Sequence, residues 1–111
     1  MRGFNDWLGL AVDSDGEAVF LDTTPEHEVA PGIVHFAVLT TLAEVAAART
    51  VGTTVVPAGV NVNLLAPARP GRLVGRGRLL RRGKRLAVAE GEVLQEGALV
   101  AKAVVTFAIT V

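Results

Sequence analysis

The segment from Pro31 to Gly52 constrains the fold most, because it is the only stretch that predicts a long helix. Between Ile33 and Ala48 every residue is apolar except His35, Thr40, Thr41 and Glu44. A helix at a protein surface usually has one apolar stripe and one charged face. This segment has no charged face, so we predict a helix that is buried on most sides.

Glu44 is the single charge in the middle of this helix. A carboxylate buried without partners is costly, and its pKa rises. The residues alone favour a solvated glutamate at a gap in the packing, because an isolated Glu usually faces water. The alternative is a functional carboxylate. Helical spacing places Thr40, Thr41 and Ala48 beside it. Either threonine hydroxyl could orient the carboxylate, and the small Ala47 and Ala48 would leave room for a substrate.

The remaining chain predicts strands. A turn at Asp13–Gly16 predicts a β-hairpin between residues 8–12 and 17–21, and residues 23–32 form a loop. Four strands follow the helix and are expected to form an antiparallel meander: 53–66, 72–82, 85–94 and 99–111. In the last strand, alternate residues from Leu99 to Ile109 should face the core. Three N-terminal residues should pack where the first strand begins: Trp7, Leu8 and Leu10.

Two strands, one long helix and four strands predict an α+β fold, in which a long sheet curls around a single helix. At 111 residues the chain is expected to form one domain, 1–111. Half of its residues are hydrophobic. That fraction is high for a small soluble monomer and indicates surface that is buried in an oligomer.

Composition excludes several kinds of site. The chain has no Cys, so disulfides, thiolate nucleophiles and Cys-ligated metals are excluded. With only two His residues, we predict no metal site. The net charge is zero, which does not indicate a nucleic-acid partner. We find no signal peptide and no apolar run of about 18 residues, so we expect no membrane association and a cytoplasmic location.

Polar residues after the helix suggest two further binding surfaces. Asn61 and Asn63 share one face of their strand, where they could hydrogen-bond across a subunit contact, reach a partner's active site or simply face solvent. Eight of the 11 basic residues lie between Arg69 and Arg85. This cluster, which includes Arg82, could bind phosphates. The alternative, which we favour for any single arginine, is solvated charge that discourages edge-to-edge aggregation.

Several short phrases occur in an order that resembles a known family. They are Pro25-Glu26-His27, Gly32-Ile33-Val34-His35, Leu42-Ala43-Glu44, Leu65-Ala66-Pro67-Ala68-Arg69-Pro70-Gly71, Gly83-Lys84-Arg85, and the strand from Leu99-Val100-Ala101 to Phe107. The interval from His35 to Glu44 is nine residues. Over roughly residues 8–110 the chain resembles the hotdog-fold acyl-CoA thioesterases of the hydroxybenzoyl-CoA thioesterase superfamily. Within these, it is most similar to the small thioesterases associated with phenylacetate degradation.

The resemblance implies a hotdog fold and hydrolysis of an acyl-CoA thioester, with coenzyme A present only as part of the substrate. Glu44 would be the general base or nucleophile, and the N–H groups of Phe36 and Ala37 would bind the oxyanion. His35 would shape this loop, whereas His27 is expected to serve the loop's own hydrogen bonding. The resemblance also implies a homodimer or a dimer of dimers with sites between subunits. Substrate-binding candidates are Thr40, Thr41, Ala48, Asn61, Asn63 and Arg82.

One departure from the family pattern keeps a second hypothesis open. The two glycines that usually follow the histidine are Phe36 and Ala37 here, and an Asn of the preceding loop is missing. A backbone N–H survives substitution, but the Phe36 side chain could narrow the thioester channel. The alternative function is a non-catalytic hotdog protein that binds an acyl group or acyl-CoA. A dehydratase would need a paired Asp and His, which we do not find.

Overall fold

The computed structural model describes residues 3–110. Its elements in chain order are α1 Phe4–Leu8, β1 Ala11–Val12, β2 Val19–Asp22, a 3-10 turn Pro25–His27, β3 Glu28–Ala30, β4 Ile33–Val34, α2 Phe36–Arg49, β5 Val55–Leu64, β6 Arg72–Arg82, β7 Leu86–Gln95 and β8 Ala98–Ile109. Six strands form one antiparallel sheet in the order β1-β2-β6-β7-β8-β5. Strands β3 and β4 pair separately.

Helix α2 packs on the inner face of this sheet, against β6, β7 and β8. The largest side chains that are fully buried come from the helix, the sheet and the turn after the helix: Leu21, Leu42, Val51, Leu73, Val93, Val105 and Phe107. The prediction of an α+β fold with one long helix against an antiparallel sheet is confirmed.

The helix is shorter and more open than predicted. It begins at Phe36, because Ile33 and Val34 form β4 after a turn in which Gly32 has φ 81°. The sheet covers only one side of α2. On the other side a stripe of five residues remains partly or fully exposed: Ala37, Thr40, Thr41, Glu44 and Ala48. The prediction of burial on most sides is therefore wrong for this stripe in the single chain.

Strand β5 does not join the meander. It pairs with β8, for example Val60 with Val105, and forms the edge of the sheet opposite β1. Of the four strands after the helix, only β6, β7 and β8 follow one another as hairpins. The connection after β5 contains two prolines, Pro67 and Pro70, and does not close as a tight hairpin. It runs past the start of α2, where the Ala68 carbonyl accepts the Val34 N–H at 3.0 Å.

The N-terminal segment also differs from the prediction. The β-hairpin is confirmed, but its first strand begins at Ala11, because Phe4–Leu8 forms a short helix that ends at Gly9 with φ 98°. The helix turns Leu8 into the core, as expected, and leaves Trp7 57% exposed. The prediction that Trp7 packs on the core is wrong.

The last strand follows the predicted alternation from Ala101 to Phe107, whose inward residues are buried. At its start the prediction fails, because Leu99 is exposed and Val100 is buried. The pairing shifts by one residue there, from Val93–Ala101 to Leu94–Leu99, which leaves Val100 as a bulge. The bulge moves the inward position from Leu99 to Val100.

Candidate functional site

The first turn of α2 is fixed by His35, which is its N-cap residue. The His35 Nδ1 atom accepts the Ala37 N–H at 3.0 Å, and the His35 carbonyl accepts the Val38 N–H at 3.0 Å. Among residues 3–110, no hydrogen bond uses the Phe36 N–H. This donor therefore lies unpaired at the positive end of the helix dipole, where an anion is stabilised.

His27 anchors this turn from the preceding loop. It is buried, its Nδ1 atom accepts the Thr24 N–H at 3.0 Å, and its carbonyl accepts the His35 N–H at 2.8 Å. The expected role of His27 in the hydrogen bonding of the loop is thus confirmed. The two histidines together hold the backbone that presents the Phe36 N–H.

Glu44 lies on the face of α2 that points away from the sheet. Its side chain is half-buried, and it makes no hydrogen bond or ion pair with any other described residue. Partial burial raises the pKa of this carboxyl above the ordinary value for Glu, because the ionised form loses hydration. The structure thus contains a carboxylate with free lone pairs and raised basicity, two properties that suit a general base.

The neighbouring threonines lie on the same stripe but do not orient Glu44. The Thr40 hydroxyl donates to the Phe36 carbonyl at 3.0 Å, the bond to the preceding turn that helical threonines often make. No described hydrogen bond joins Thr41 to Glu44. Ala48, one turn further on, is half-buried and adds no polar group to the stripe. In the single chain, neither threonine hydroxyl is therefore bonded to the carboxylate.

Glu44 and the Phe36 N–H are far apart on one helix. They are eight positions apart in the sequence, which is about 12 Å along the axis. A catalytic base or nucleophile lies about 3 Å from the reacting atoms, and an oxyanion donor lies about 3 Å from the carbonyl oxygen. The spacing of the two groups in one chain is larger than such a site requires.

The two predicted asparagines lie on the opposite side of the sheet from the stripe on α2. Asn61 and Asn63 share one strand face, as predicted, and pair with Val104 and Lys102 of β8. The β8 residue between these two, Ala103, is buried against the helix. Directly paired residues point to the same side of a sheet, so Asn61 and Asn63 lie on the outer face, opposite Glu44.

Arg82 lies at the far end of the helix from Phe36. Its guanidinium donates to the Val51 carbonyl, just after the last turn of α2, and so caps the helix. Two other arginines of the basic segment form ion pairs with neighbouring strands: Arg72 with Asp22 at 2.7 Å, and Arg78 with Glu90 at 2.8 Å. Part of the basic cluster therefore has structural partners within the chain.

Sequence reasoning missed a cavity beside the helix start. A mainly apolar cavity of about 190 Å³ opens between α1, the 3-10 turn and α2, and is lined by residues that include Phe4, Trp7, Leu8, His35, Ala37 and Val38. The signal was the spacing of Phe4 and Trp7, three residues apart and hence on one side of a helical turn. Phe36 lines a different cavity, together with Val34 of β4, Leu39 of α2, and Leu64 and Leu65 at the end of β5.

Two further features bear on the class of site. Within residues 3–110, no group of three or more His, Asp or Glu side chains could hold a metal ion. In the same range, no helix is long and apolar enough to cross a membrane.

Comparisons with known proteins identify the family. Residues 31–102 match the family model of the thioesterase superfamily. A solved structure from this superfamily is 31% identical with a TM-score of 0.87, over 96% of this chain and 89% of that one. A phenylacetic acid degradation-related protein from Ralstonia eutropha is 29% identical with a TM-score of 0.81, over 95% and 88%. A Bacillus halodurans protein solved with CoA shares the fold at 23% identity, with a TM-score of 0.82 over 95% and 75%.

No curated protein matches the chain in sequence. The family match covers both the helix that carries Glu44 and most of the antiparallel sheet. The chain therefore has the hotdog fold and belongs to the thioesterase superfamily, with similarity to its phenylacetate-degradation type.

Proposed function

We propose that the protein hydrolyses acyl-CoA thioesters, with Glu44 as general base or nucleophile. The observation that carries this proposal is the half-buried, unpaired carboxylate of Glu44, on the same helix that begins with an unpaired Phe36 N–H. Burial raises the pKa of this carboxylate. Membership of the thioesterase superfamily supports thioester chemistry at these groups. The CoA bound to the Bacillus halodurans protein supports CoA as the thiol part of the substrate.

The proposed reaction uses both the Glu44 carboxylate and the Phe36 N–H. As a base, Glu44 takes a proton from water while the water oxygen attacks the thioester carbon; as a nucleophile, Glu44 attacks that carbon and water then hydrolyses the acyl-enzyme. The oxyanion that forms accepts a hydrogen bond from the Phe36 N–H. In the base route the C–S bond then breaks and the acid is released directly. In the nucleophile route the C–S bond breaks as the acyl-enzyme forms, and water releases the acid afterwards. In both routes the CoA thiolate leaves and takes up a proton. Ala37 could add a second donor, although His35 Nδ1 already accepts its N–H.

We further propose that each site forms between two copies of the chain. The separation of about 12 Å between Phe36 and Glu44 supports pairing the helix start of one subunit with Glu44 of another. The half-exposed stripe of α2 and the free edge of β5, which exposes Val56 and Val60, are surfaces that a second copy could cover. A homodimer is the minimum assembly, and a dimer of dimers would extend it. In that larger assembly Asn61 and Asn63, on the outer face, could contact another subunit or its substrate.

The test is a steady-state assay on a panel of acyl-CoA thioesters. Glu44→Gln keeps the size of the side chain and should lower kcat by about a hundredfold or more, because it removes the base or nucleophile. The control is Glu96→Gln, on the exposed turn before β8, which should leave kcat unchanged. If wild type hydrolyses several thioesters and Glu44→Gln is equally fast, the assignment of Glu44 fails.

A second candidate function is acyl-CoA binding without hydrolysis. The side chain of Phe36, which is 56% exposed beside the proposed donor and stacks on the His35 ring at 4.7 Å, favours it. So does the bond that occupies the Ala37 N–H. Thermal protection by acyl-CoA thioesters, with no CoA released from any of them, would support this alternative over the hydrolase.

A further inference from the structure

We propose that Phe4 and Trp7 of α1 form the wall of the acyl pocket and determine which acyl groups the protein accepts. The inference deepens the proposed function, because it assigns a substrate class to the same site. The class is a compact apolar acyl group, either a single ring or a chain of about six carbons.

The position of α1 supports this role. Leu8 is buried and fixes the end of the helix, and the Gly9 N–H donates to the carbonyls of Asn5 and Asp6 at 3.1 Å. This arrangement holds the aromatic side chains of Phe4 and Trp7 over the start of α2, with their ring centroids 6.0 Å apart. The cavity between them and α2 is the one lined by His35 and Ala37.

The cavity lies next to the proposed oxyanion donor, and this position indicates that the acyl group of the substrate occupies it. Phe36, whose N–H is unpaired, lies in the chain between His35 and Ala37, and both of these line the cavity. A thioester whose carbonyl oxygen accepts the Phe36 N–H would thus have this apolar cavity within reach of its acyl carbons. Binding sites for small molecules typically combine such apolar walls with a few placed polar groups.

The exposure of the two rings also requires an explanation. Phe4 is 61% exposed and Trp7 is 57% exposed, although both could bury large apolar area. Two adjacent exposed aromatic rings at the mouth of a cavity are typical of a binding site. An acyl group between these rings and Val38 would remove apolar surface from water on both partners.

The size of the cavity sets the substrate class. Its volume is about 190 Å³, and an apolar cavity of roughly 150 Å³ is enough to hold a benzene ring. One ring or a chain of about six carbons therefore fits. A long fatty acyl chain exceeds this volume.

The first experiment measures selectivity. Acetyl-, hexanoyl-, benzoyl- and palmitoyl-CoA are compared for wild type, Trp7→Ala, Phe4→Ala and Trp7→Phe. Trp7→Ala and Phe4→Ala should each lower kcat/KM for hexanoyl- and benzoyl-CoA by about tenfold relative to acetyl-CoA, and Trp7→Phe should recover most of the loss. The control Leu86→Ala removes an equally exposed apolar side chain on a distant strand and should change no ratio. Equal ratios in every variant would overturn the proposal.

The second experiment does not depend on turnover. Trp7 is the only tryptophan of the chain, so intrinsic fluorescence reports on this residue alone. A non-hydrolysable S-hexyl or S-benzyl thioether of CoA should shift the emission to shorter wavelength, whereas free CoA should shift it less. Circular dichroism of each variant confirms that it is folded.

The two experiments separate this inference from the proposed function. A fluorescence response with no hydrolysis of any thioester would retain the pocket and contradict the hydrolase. Hydrolysis that depends on Glu44, with no thioether response at Trp7 and no change in selectivity, would retain the hydrolase and contradict the pocket.

Discussion

A Cβ atom added at Gly91 of β7 would lie 1.9 Å from the carbonyl oxygen of Ala43 in α2. At Gly77 of β6, an added Cβ would lie 2.0 Å from the carbonyl oxygen of Ala46. Both contacts are with backbone atoms, which cannot move aside as a side chain does. The two glycines therefore let α2 lie directly on the sheet, and they set the position of the helix that carries Glu44.

Gly91→Ala should consequently be strongly destabilising. The helix must move away from β7, and overpacking of this kind costs typically 1–3 kcal/mol, here about 3 kcal/mol because the contact is with rigid backbone. Urea unfolding followed by circular dichroism measures the change. Gly3→Ala is the matched control, because an added Cβ there meets no atom within 4 Å. Equal stability of both variants would contradict the close packing of α2.

Much of this arrangement could be predicted from sequence. The apolar segment with one carboxylate indicated the central helix, and alternation in the last strand indicated its buried face. The position of β5 could not be predicted, because pairing with β8 instead of β6 depends on the path of the long connection and not on local pattern. The exposure of Trp7 could not be predicted either. Trp7 and its neighbour Leu8 are both apolar, and only the helical turn of α1 decides which of the two side chains is buried.

Only part of the candidate site could be predicted from the sequence, and the physical reason is similar. Residue type and helical spacing placed Glu44, Thr40 and Thr41 on one stripe. They could not show that the Thr40 hydroxyl would donate to the backbone, or that Arg82 would cap the helix. Such bonds depend on tertiary contacts that no spacing rule contains.

Glu44 should make stability depend on pH. Because burial raises its pKa in the folded state above the value of about 4.3 in the unfolded chain, the folded state binds the proton more tightly. The loss of folding stability caused by burying ionised Glu44 is absent when the pH lies below the pKa of this group in the unfolded chain. It grows as pH rises through the window between the two values, and is complete above the folded pKa.

Glu44→Gln removes this penalty. The variant should melt a few degrees above wild type at pH 8, and the difference should shrink towards zero near pH 4. Differential scanning calorimetry across this range provides the measurement. Glu96→Gln, on an exposed turn, should change Tm little at either pH. A difference for Glu44→Gln that grows on acidification would show that the sign of the shift is wrong.

Arg82 should stabilise the end of α2. Arg82→Ala loses the hydrogen bond to the Val51 carbonyl and should lower the free energy of unfolding by about 1 kcal/mol. The adjacent Arg81 is exposed and its side chain makes no hydrogen bond or ion pair with the described residues, so Arg81→Ala is the control.

The same pair of variants tests whether Arg82 binds the nucleotide of CoA. If it does, Arg82→Ala raises KM for an acyl-CoA but not for the matching N-acetylcysteamine thioester, which has no phosphate. An unchanged KM for both substrates would restrict Arg82 to its structural role.

The Phe36 N–H can be removed without breaking the helix. Phe36 is the first residue of α2, where proline is well tolerated, and His35 has φ −62° and ψ 138°, which suit a residue before proline. Phe36→Pro should lower kcat by about a hundredfold, as expected for loss of an oxyanion donor. Phe36→Ala loses the same side chain and keeps the N–H, so it should retain far more activity. Similar losses in both variants would assign the effect to the side chain instead.

Mixing two inactive variants tests whether the site is shared between copies. In Glu44→Gln the helix start is intact, and in Phe36→Pro the carboxylate is intact. If each site combines Phe36 of one subunit with Glu44 of another, co-refolded dimers contain some sites in which both groups are wild type. Random pairing in a two-fold dimer restores about a quarter of the sites, so activity should rise well above that of either variant alone. A mixture no more active than the better single variant, while native mass spectrometry shows mixed dimers, would place both groups of each site in one chain.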